Sequence, residues 1–258
     1  MAVKSINFKK YSSIHIGPEV QVKVIDEIGD YSNYTIIGRA NNLLISNNPP
    51  SLAVLGDNFD YITQKDNKLI VGAATSSGKL LTYAKKHDLA DFEFLAKLPG
   101  NIGGLTKMNA GLKQWEIFNY IDSITTNKGV FKKDQIAHSY RETNIEDIIY
   151  EVVFNIENKG YNKENQKMFT QMRDNQPNLP SAGSCFKNPE GQSAGYLIEK
   201  AGLKGHTIGS MSFSSQHANF LVNLGEGTYN EAMQLIKLAQ NKVKAQFNIE
   251  LELEIKVI

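Results

Sequence analysis

Short apolar runs alternate with turn-rich pieces near the start of the chain, a pattern that predicts β-strands. The predicted strands are Val20–Ile25, Tyr34–Ile37, Leu52–Leu55 and Lys68–Val71. Beyond them, Ser76 and Ser77 can cap a helix that carries Leu80, Leu81 and Ala84 on one side. Strands followed by a helix predict an α+β unit.

Two further strands and a helix are predicted in the middle of the chain. The strands are Ser123–Thr126 and Ile148–Asn155. A polar segment from Glu157 to Asn165 follows them and turns into a helix that ends near Arg173. We place the main domain boundary at this polar segment.

The last predicted helix begins at a capping box formed by Thr228 and Glu231. Its apolar residues fall on one helical face, and they are Ala232, Leu235, Ile236, Ala239, Val243 and Phe247. Beyond it, apolar and polar residues alternate strictly from Glu250 to Val257. This alternation predicts a half-buried terminal strand.

Composition and charge narrow the class of protein. The chain has 258 residues, 41% hydrophobic and 21% charged, which excludes a disordered tail and a collagen-like repeat. With 28 Lys and Arg against 27 Asp and Glu, the net charge is +1, without the basic excess of a nucleic-acid-binding surface. We therefore expect no nucleic-acid partner, and any bound anion must be held locally.

Cysteine and histidine usage argues against a metal centre. Cys185 is the only cysteine, so neither an intramolecular disulfide nor a Cys-rich zinc site can form. The five histidines show no H-E-x-x-H spacing.

No stretch approaches the roughly 18 uninterrupted apolar residues of a membrane span. We expect a cytoplasmic protein with no metal and no membrane insertion.

Two glycine-containing loops are candidates for phosphate binding. Ile37 to Leu44 runs from a strand into a loop of small residues, and Leu98 to Gly111 contains four glycines. Backbone N–H groups of such loops can converge on a phosphate, although a purely structural turn explains the first loop equally well. Neither loop has the spacing of a Rossmann or a Walker motif. A nucleotide is the favoured ligand.

Small residues in the segment from Ser181 to Pro189 expose a hydroxyl beside a cation and an amide. By itself this segment resembles the start of a strand followed by a turn. Ser184 lies in no G-x-S-x-G elbow, which argues against a hydrolase nucleophile, whereas a role as proton donor stays open.

Taken in order, these motifs resemble the UDP-N-acetylenolpyruvoylglucosamine reductase family in its shorter subgroup. The motifs are Leu98–Gly104, Met108–Gly111, Tyr140–Arg141, Gln176–Pro177, Gly183–Pro189 and His217–Phe220. The resemblance implies an α+β protein with a two-subdomain FAD-binding unit of the vanillyl-alcohol oxidase type and a C-terminal α+β substrate-binding domain. The implied subdomains are residues 1–57 and 58–156, and the substrate domain is 157–258.

The resemblance also implies the cofactors. FAD, held without a covalent bond, would contact Gly38, Arg39, Ala40, Asn41, Asn42, Leu43, Pro99, Gly100, Asn101, Gly103, Gly104, Asn109 and Gly111. NADPH would be the reductant. The chain departs from the family pattern at Ala40, Asn41 and the segment Leu112–Gln114, so local flavin contacts can differ.

The implied reaction reduces UDP-N-acetylglucosamine enolpyruvate to UDP-N-acetylmuramate, a peptidoglycan precursor, in a monomeric enzyme. Arg141 would bind the substrate carboxylate, Glu254 would stabilise the charged intermediate, and Ser184 would protonate its carbon. Tyr140, Lys187, Asn188 and Tyr196 would bind the rest of the UDP-sugar. Two alternatives stay open, namely an oxidase or dehydrogenase of the same flavin fold with another substrate and a flavin- or nucleotide-binding module without catalysis.

Overall fold

Strands and helices are interspersed along the computed structural model, which describes residues 2–156 and 160–258. The strands are β1 Val3–Asn7, β2 Glu19–Ile25, β3 Thr35–Ile36, β4 Leu43–Leu44, β5 Leu52–Leu55, β6 Ile62–Lys65, β7 Lys68–Gly72, β8 Gly111–Leu112, β9 Trp115–Glu116, β10 Ile121–Thr126, β11 Gly129–Lys132, β12 His138–Ser139, β13 Glu142–Thr143, β14 Ile149–Asn155, β15 Ser181–Ser184, β16 Thr207–Ile208, β17 Met211–Phe213, β18 Phe220–Asn223 and β19 Lys256–Val257.

The helices are α1 Phe8–Tyr11, α2 Ser77–Lys86, α3 Ile102–Lys107, α4 Lys163–Gln171, α5 Ala194–Lys200 and α6 Tyr229–Phe247, with short 3-10 turns at Asp57–Phe59, Glu93–Leu95, Ile117–Asn119 and Lys133–Gln135. This content confirms the α+β class. Within the described residues, no helix combines the length and the apolar composition needed to cross a membrane.

Residue contacts divide the chain into two units, each built from separate segments. The first unit is Met1–Lys4, Val22–Gly38 and Ser51–Arg173, and the second is Ser5–Gln21, Arg39–Pro50 and Asp174–Ile258. The boundary predicted at residue 157 lies outside the described residues, and the three-part division of the chain stays a prediction.

The core of the first unit lies on a five-stranded antiparallel sheet with the order β11-β10-β14-β7-β6. Val152 and Phe154 of β14 are paired across the ladder with Val71 and Leu69 of β7. All four side chains are at most 1% exposed, as expected for alternate residues that face one side of a sheet. The predicted strands Lys68–Val71 and Ile148–Asn155 are thus confirmed to within one residue.

The first unit also contains helix α2 and the parallel strands β2, β5 and β3. Strand β5 pairs in parallel with both β2 and β3, and β3 ends just before Gly38. The predicted cap of α2 is confirmed, because the Ser76 hydroxyl accepts a hydrogen bond from the Lys79 N–H.

In the second unit, α5 and α6 share a hydrophobic core with an antiparallel sheet of order β15-β18-β17-β16. The capping box of α6 is confirmed, since Thr228 and Glu231 each accept a hydrogen bond from the other's main-chain N–H. The predicted apolar face is also confirmed, with Phe247 at its margin, and the fully buried residues are Ala232, Leu235, Ile236, Ala239 and Val243.

The prediction of a continuous terminal strand is wrong. Only Lys256–Val257 is a strand, paired in parallel with β4, whereas Leu253 forms an isolated bridge with Phe186. The N–H groups of Glu254 and Ile255 both donate to the Cys185 carbonyl, at 2.9 and 3.4 Å, and the chain bends there. The segment therefore changes its pairing partner midway. A continuous strand in one β-ladder keeps the same partner strand along its length, so this segment is not one continuous strand.

Candidate active site

A cavity of about 530 Å³ opens in the first unit, a size typical of a small-molecule site. The predicted cofactor residues Gly38, Asn101, Gly103 and Gly104 lie in its wall. The other lining residues are Asp30, Tyr31, Ser32, Tyr34, Thr35, Ile36, Ile37, Leu55, Ala73, Lys107, Asn127, Glu146, Asp147, Ile148 and Ile149. The two glycine loops thus contribute to one cavity, as their shared composition suggests.

The two glycines at the start of α3 have different roles: one allows close packing, and the other leaves open space in the cavity. A Cβ on Gly103 would lie 2.8 Å from the Cβ of Ala73, so only glycine allows this approach. A Cβ on Gly104 would meet nothing within 4 Å, so this position leaves open space. The Oδ1 atom of Asn101 is buried and has no hydrogen-bond partner among the described residues. An unpaired acceptor beside open space fits a ligand that carries hydroxyl or amine donors.

Some main-chain groups of this loop are already used by the fold. The N–H of Ile102 donates to the Thr75 carbonyl at 2.8 Å, and the N–H of Gly103 donates to the Ala73 carbonyl at 2.9 Å. The expectation that this loop cradles a phosphate with its amides therefore does not extend to these two groups, because their protons point into the protein.

Sequence reasoning missed the acidic and aromatic part of the cavity wall. Asp30, Glu146 and Asp147 place carboxylates there, and Tyr31 and Tyr34 add phenol rings. These residues come from two loops without a phosphate motif, and only the fold shows that both loops reach one cavity. Aromatic rings and carboxylates suit a nucleoside, since the rings can stack on a base and the carboxylates can accept from hydroxyl groups.

Arg141, Asn109 and Gly111 lie together at another point of the first unit. Nη2 of Arg141 donates to the Gly111 carbonyl at 2.9 Å, and Nη1 donates to the Asn109 carbonyl at 3.4 Å. Nη1 also lies 3.6 Å from Oε1 of Glu116, so the structure includes an ion pair at Arg141. The Tyr140 ring lies under the guanidinium, with 4.9 Å between its centroid and Cζ. Several contacts therefore fix the position of this guanidinium.

Backbone geometry supports the same cluster. A Cβ on Gly111 would lie 2.1 Å from the Trp115 carbonyl oxygen, so the strand pair β8–β9 requires glycine there. Arg141 itself has a φ of 60°, a value in the left-handed region that non-glycine residues adopt at a cost. Asn109 and Gly111 contact Arg141 and are not in the wall of the cavity described above.

Sequence reasoning also missed Arg173, which it treated only as the end of a helix. Its side chain is buried, and Nε and Nη2 have no hydrogen-bond partner among the described residues. Burial, together with the positive charge of Arg141, lowers the pKa of Arg173 to about 10. An isolated arginine after a helix carries no motif, so only the packed structure reveals it.

The segment with Ser184 lies in the second unit and is held by buried hydrogen bonds. Ser184 ends β15, opposite Phe220 of β18. The Cys185 N–H donates to the main-chain carbonyl of Asn219 at 2.7 Å, while the Asn219 side chain accepts from the Phe186 N–H and donates to the Phe186 carbonyl. Burial, and then the Glu254 carboxylate, raise the pKa of the Cys185 thiol, so the thiol stays protonated.

Glu254 and Lys187 lie on the two paired segments of this region. The Lys187 N–H donates to the Glu252 carbonyl at 2.8 Å, and its Nζ lies 2.6 Å from Oε1 of Glu252. The Asn42 side chain donates to the Glu254 carbonyl at 2.9 Å. The structure thus brings Glu254 into the same region as Ser184 and Lys187, although Glu254 is far from both in the sequence.

The remaining predicted residues occupy several positions. Asn188 accepts a hydrogen bond from the Ala194 N–H at 3.0 Å, and Tyr196 on α5 is 56% exposed. Asn41 has a buried Oδ1 without a partner among the described residues. Five cofactor candidates, Arg39, Ala40, Asn41, Asn42 and Leu43, belong to the second unit, and Pro99 and Gly100 of the first unit precede α3 without lining the cavity.

Comparison with known proteins identifies the family. The chain is 43% identical to the UDP-N-acetylenolpyruvoylglucosamine reductase of Helicobacter hepaticus, and the match covers 100% of both chains. The chain belongs to the UDP-N-acetylenolpyruvoylglucosamine reductase family. The Campylobacter jejuni reductase of the same name is 42% identical, with 98% of this chain and 99% of the relative covered.

The structure and a family model agree with membership of this reductase family. The model of the C-terminal domain of UDP-N-acetylenolpyruvoylglucosamine reductase matches residues 175–258, which lie in the second unit. The crystal structure of the Thermus caldophilus reductase superposes with a TM-score of 0.84 at 28% identity, covering 100% of this chain and 99% of that chain. Ser184, Lys187, Asn188, Tyr196 and Glu254 all fall inside the segment matched by the reductase model.

No metal-ligand cluster accompanies this site in the part of the chain that the structure describes, where no group of three or more His, Cys, Asp or Glu side chains is placed to hold an ion.

Proposed function

We propose that this protein uses NADPH and bound FAD to reduce UDP-N-acetylglucosamine enolpyruvate to UDP-N-acetylmuramate for peptidoglycan synthesis. The observation that carries the proposal is the full-length match to reductases of this name, at 43% identity for the Helicobacter hepaticus protein. A monomeric state and a cytoplasmic location belong to the same proposal. Size-exclusion chromatography with light scattering tests the first of these.

The cavity of the first unit supports FAD as the cofactor. Its volume of about 530 Å³ accommodates a large part of a dinucleotide, and its wall combines rings, carboxylates and glycines. Asn101 would bind a hydroxyl of the cofactor through its unpaired Oδ1, and Gly104 would leave room for the phosphates. When bound, FAD carries the two electrons from NADPH to the substrate. A flavin fold of the vanillyl-alcohol oxidase type is part of this proposal.

Arg141 is the residue proposed to bind the enolpyruvyl carboxylate. Hydride addition to the terminal vinyl carbon leaves negative charge on the adjacent carbon, and this charge spreads into the carboxylate. A guanidinium already fixed by the carbonyls of Gly111 and Asn109 needs no reorganisation as that charge grows. Its planar donors also match the two carboxylate oxygens.

Ser184 and Glu254 are the residues proposed to act on the charged intermediate. The Oγ of Ser184 donates its proton to the carbon that carries the negative charge, because a carbanion is a far stronger base than an alkoxide. Glu254, as the protonated acid, donates a hydrogen bond to the charged intermediate. Lys187, Asn188, Tyr140 and Tyr196 bind the phosphates and the sugar.

The proposal is tested under anaerobic conditions by following the visible spectrum of the bound flavin. NADPH is expected to bleach the oxidised band, and addition of UDP-N-acetylglucosamine enolpyruvate is expected to restore it. Flavin that is reduced by NADPH and not reoxidised by this substrate would assign the protein to another oxidoreductase of the same fold. A protein that stays colourless after incubation with FAD would refute the cofactor proposal.

A further inference from the structure

Helix α4 packs on β9, the strand that carries the ion-pair partner of Arg141. The Phe169 ring of α4 meets the Trp115 ring edge to face, with 5.0 Å between centroids. Trp115 precedes Glu116 in β9, and Glu116 pairs with Arg141. Arg173 follows Phe169 by about one helical turn, and it is close enough to Arg141 for the two positive charges to repel each other.

The burial of Arg173 lacks the compensation that buried charges in folded proteins require. Its side chain is 6% exposed, and two of its three nitrogens, Nε and Nη2, have no hydrogen-bond partner among the described residues. By contrast, the buried carboxylate of Glu93 has a hydrogen-bond partner. Glu93 is 3% exposed, and it accepts a hydrogen bond of 2.7 Å from the Asn162 N–H. A buried cation with unpaired donors beside another cation is costly unless an anion binds there.

The geometry of the donors defines the anion. Guanidinium groups present parallel N–H donors. These donors match the two oxygens of a planar carboxylate better than the point charge of a lysine ammonium group does. Arg141 already shares its charge with Glu116, so a second cation would further stabilise a substrate carboxylate that gains an enediolate's charge. Arg173 is suited to supply that second charge.

We propose that Arg173 is a second carboxylate-binding residue, which acts with Arg141 on the enolpyruvyl carboxylate of the substrate. This inference rests on the proposed function, because it takes its ligand from that reaction. It predicts that Arg173 contributes to binding only when the sugar carries the carboxylate.

The test compares two nucleotide sugars by isothermal titration calorimetry on the flavin-loaded protein. UDP-N-acetylmuramate carries the carboxylate, and UDP-N-acetylglucosamine lacks it. In Arg173→Gln, the affinity for UDP-N-acetylmuramate is expected to fall roughly 10- to 100-fold, as for loss of a hydrogen-bonded charge, with no change for UDP-N-acetylglucosamine. Arg173→Lys keeps the charge without the fork and should give an intermediate loss. Lys167→Gln, which removes an exposed cation from α4, is the matched control and should change neither affinity.

Each outcome bears on one proposal. Equal losses for both nucleotide sugars, or no loss for either, would overturn the role of Arg173 and leave the proposed function standing. A fall in the midpoint potential of the bound flavin, with both affinities intact, would also overturn it, since Arg173 would then act on the cofactor. If Arg173→Gln does not fold, the Arg173→Lys protein decides by the same comparison. Unmodified protein that binds neither nucleotide sugar would refute the proposed function itself.

Discussion

The main-chain N–H of Glu254 donates a hydrogen bond to the Cys185 carbonyl at 2.9 Å. This bond ties Glu254 to the residue that follows Ser184, and the bridge between Leu253 and Phe186 extends the pairing by one residue on each side. Two predicted catalytic residues, separated widely in the chain, are thus fixed to the same pair of backbone segments. A fixed backbone is what a proton donor and a hydrogen-bond-donating carboxyl group need to act on one intermediate.

Ser184→Ala should separate the two half-reactions of the proposed enzyme. Reduction of flavin by NADPH should stay within a few-fold of the native rate, whereas reoxidation by the substrate should slow by roughly 10²- to 10⁴-fold, the usual contribution of a general acid. Stopped-flow absorbance measures both rates. Ser181→Ala, at the other end of β15, is the control. Equal slowing of both half-reactions would contradict the assignment of Ser184.

The thiol of Cys185 should be unreactive in the native protein. The side chain is fully buried, so a reagent cannot reach the thiol. Burial together with Glu254 also raises the pKa of the thiol, so the reactive thiolate does not form. At pH 8, a disulfide reagent such as dithionitrobenzoate should modify the thiol only after denaturant is added. Rapid labelling of the native protein, followed by absorbance, would show that this region opens readily.

Gly104→Val should lower FAD binding without harming the fold. The new side chain would enter open space in the cavity, because no atom lies within 4 Å of the position that its Cβ would take. Gly78→Val is the matched control, because Gly78 also lies in the first turn of a helix with no neighbour within 4 Å. The flavin content per chain and the thermal midpoint of the flavin-free protein are measured for both variants. Equal flavin content in the two would argue against FAD in this cavity.

Asp122 should contribute stability that depends on pH. Hydrogen bonds from Lys68 and Lys132 lower the pKa of Asp122 from 3.8 to about 2, and its side chain is 18% exposed. Since the pKa is lower in the folded protein, the contribution is complete above the unfolded value and is lost as the pH falls from about 4 to about 2.

Asp122→Asn should therefore lower the free energy of unfolding by about 2 kcal/mol at most at pH 7, and by roughly half of that at pH 3. Urea unfolding of both proteins at the two pH values measures the difference. A difference that is the same at pH 7 and pH 3 would mean that the ionisation of Asp122 does not contribute. Asp134→Asn, in an exposed turn, is a suitable control.

Local signals in the sequence predicted several of the longer elements. The cap at Ser76 and the box at Thr228 and Glu231 are confirmed because they involve residues three positions apart, whose contacts form in any helix that starts there. The end of the chain was predicted wrongly because Leu253 and Lys256 pair with different segments, Phe186 and β4, that lie far away in the sequence. Alternation alone does not encode a change of partner.

The candidate site shows the same limit. Gly38 and Asn101 were predicted from glycine loops and do lie in one cavity wall. Asp30 and Glu146 lie in the same wall without any motif, because their position depends on how two loops pack. Arg173 became visible only through its burial, a property of the folded state that no spacing predicts.

The parallel pairing of β19 with β4 affects how this chain is synthesised. Asn42 and Glu254, which share a hydrogen bond beside this pairing, are 212 positions apart. On the ribosome, the segment around β4 emerges long before β19, so its partner strand is not yet available. Such distant closure slows folding. The second unit should therefore complete its fold only after β19 has left the ribosome, and a nascent chain stalled before β19 should remain sensitive to protease in that unit.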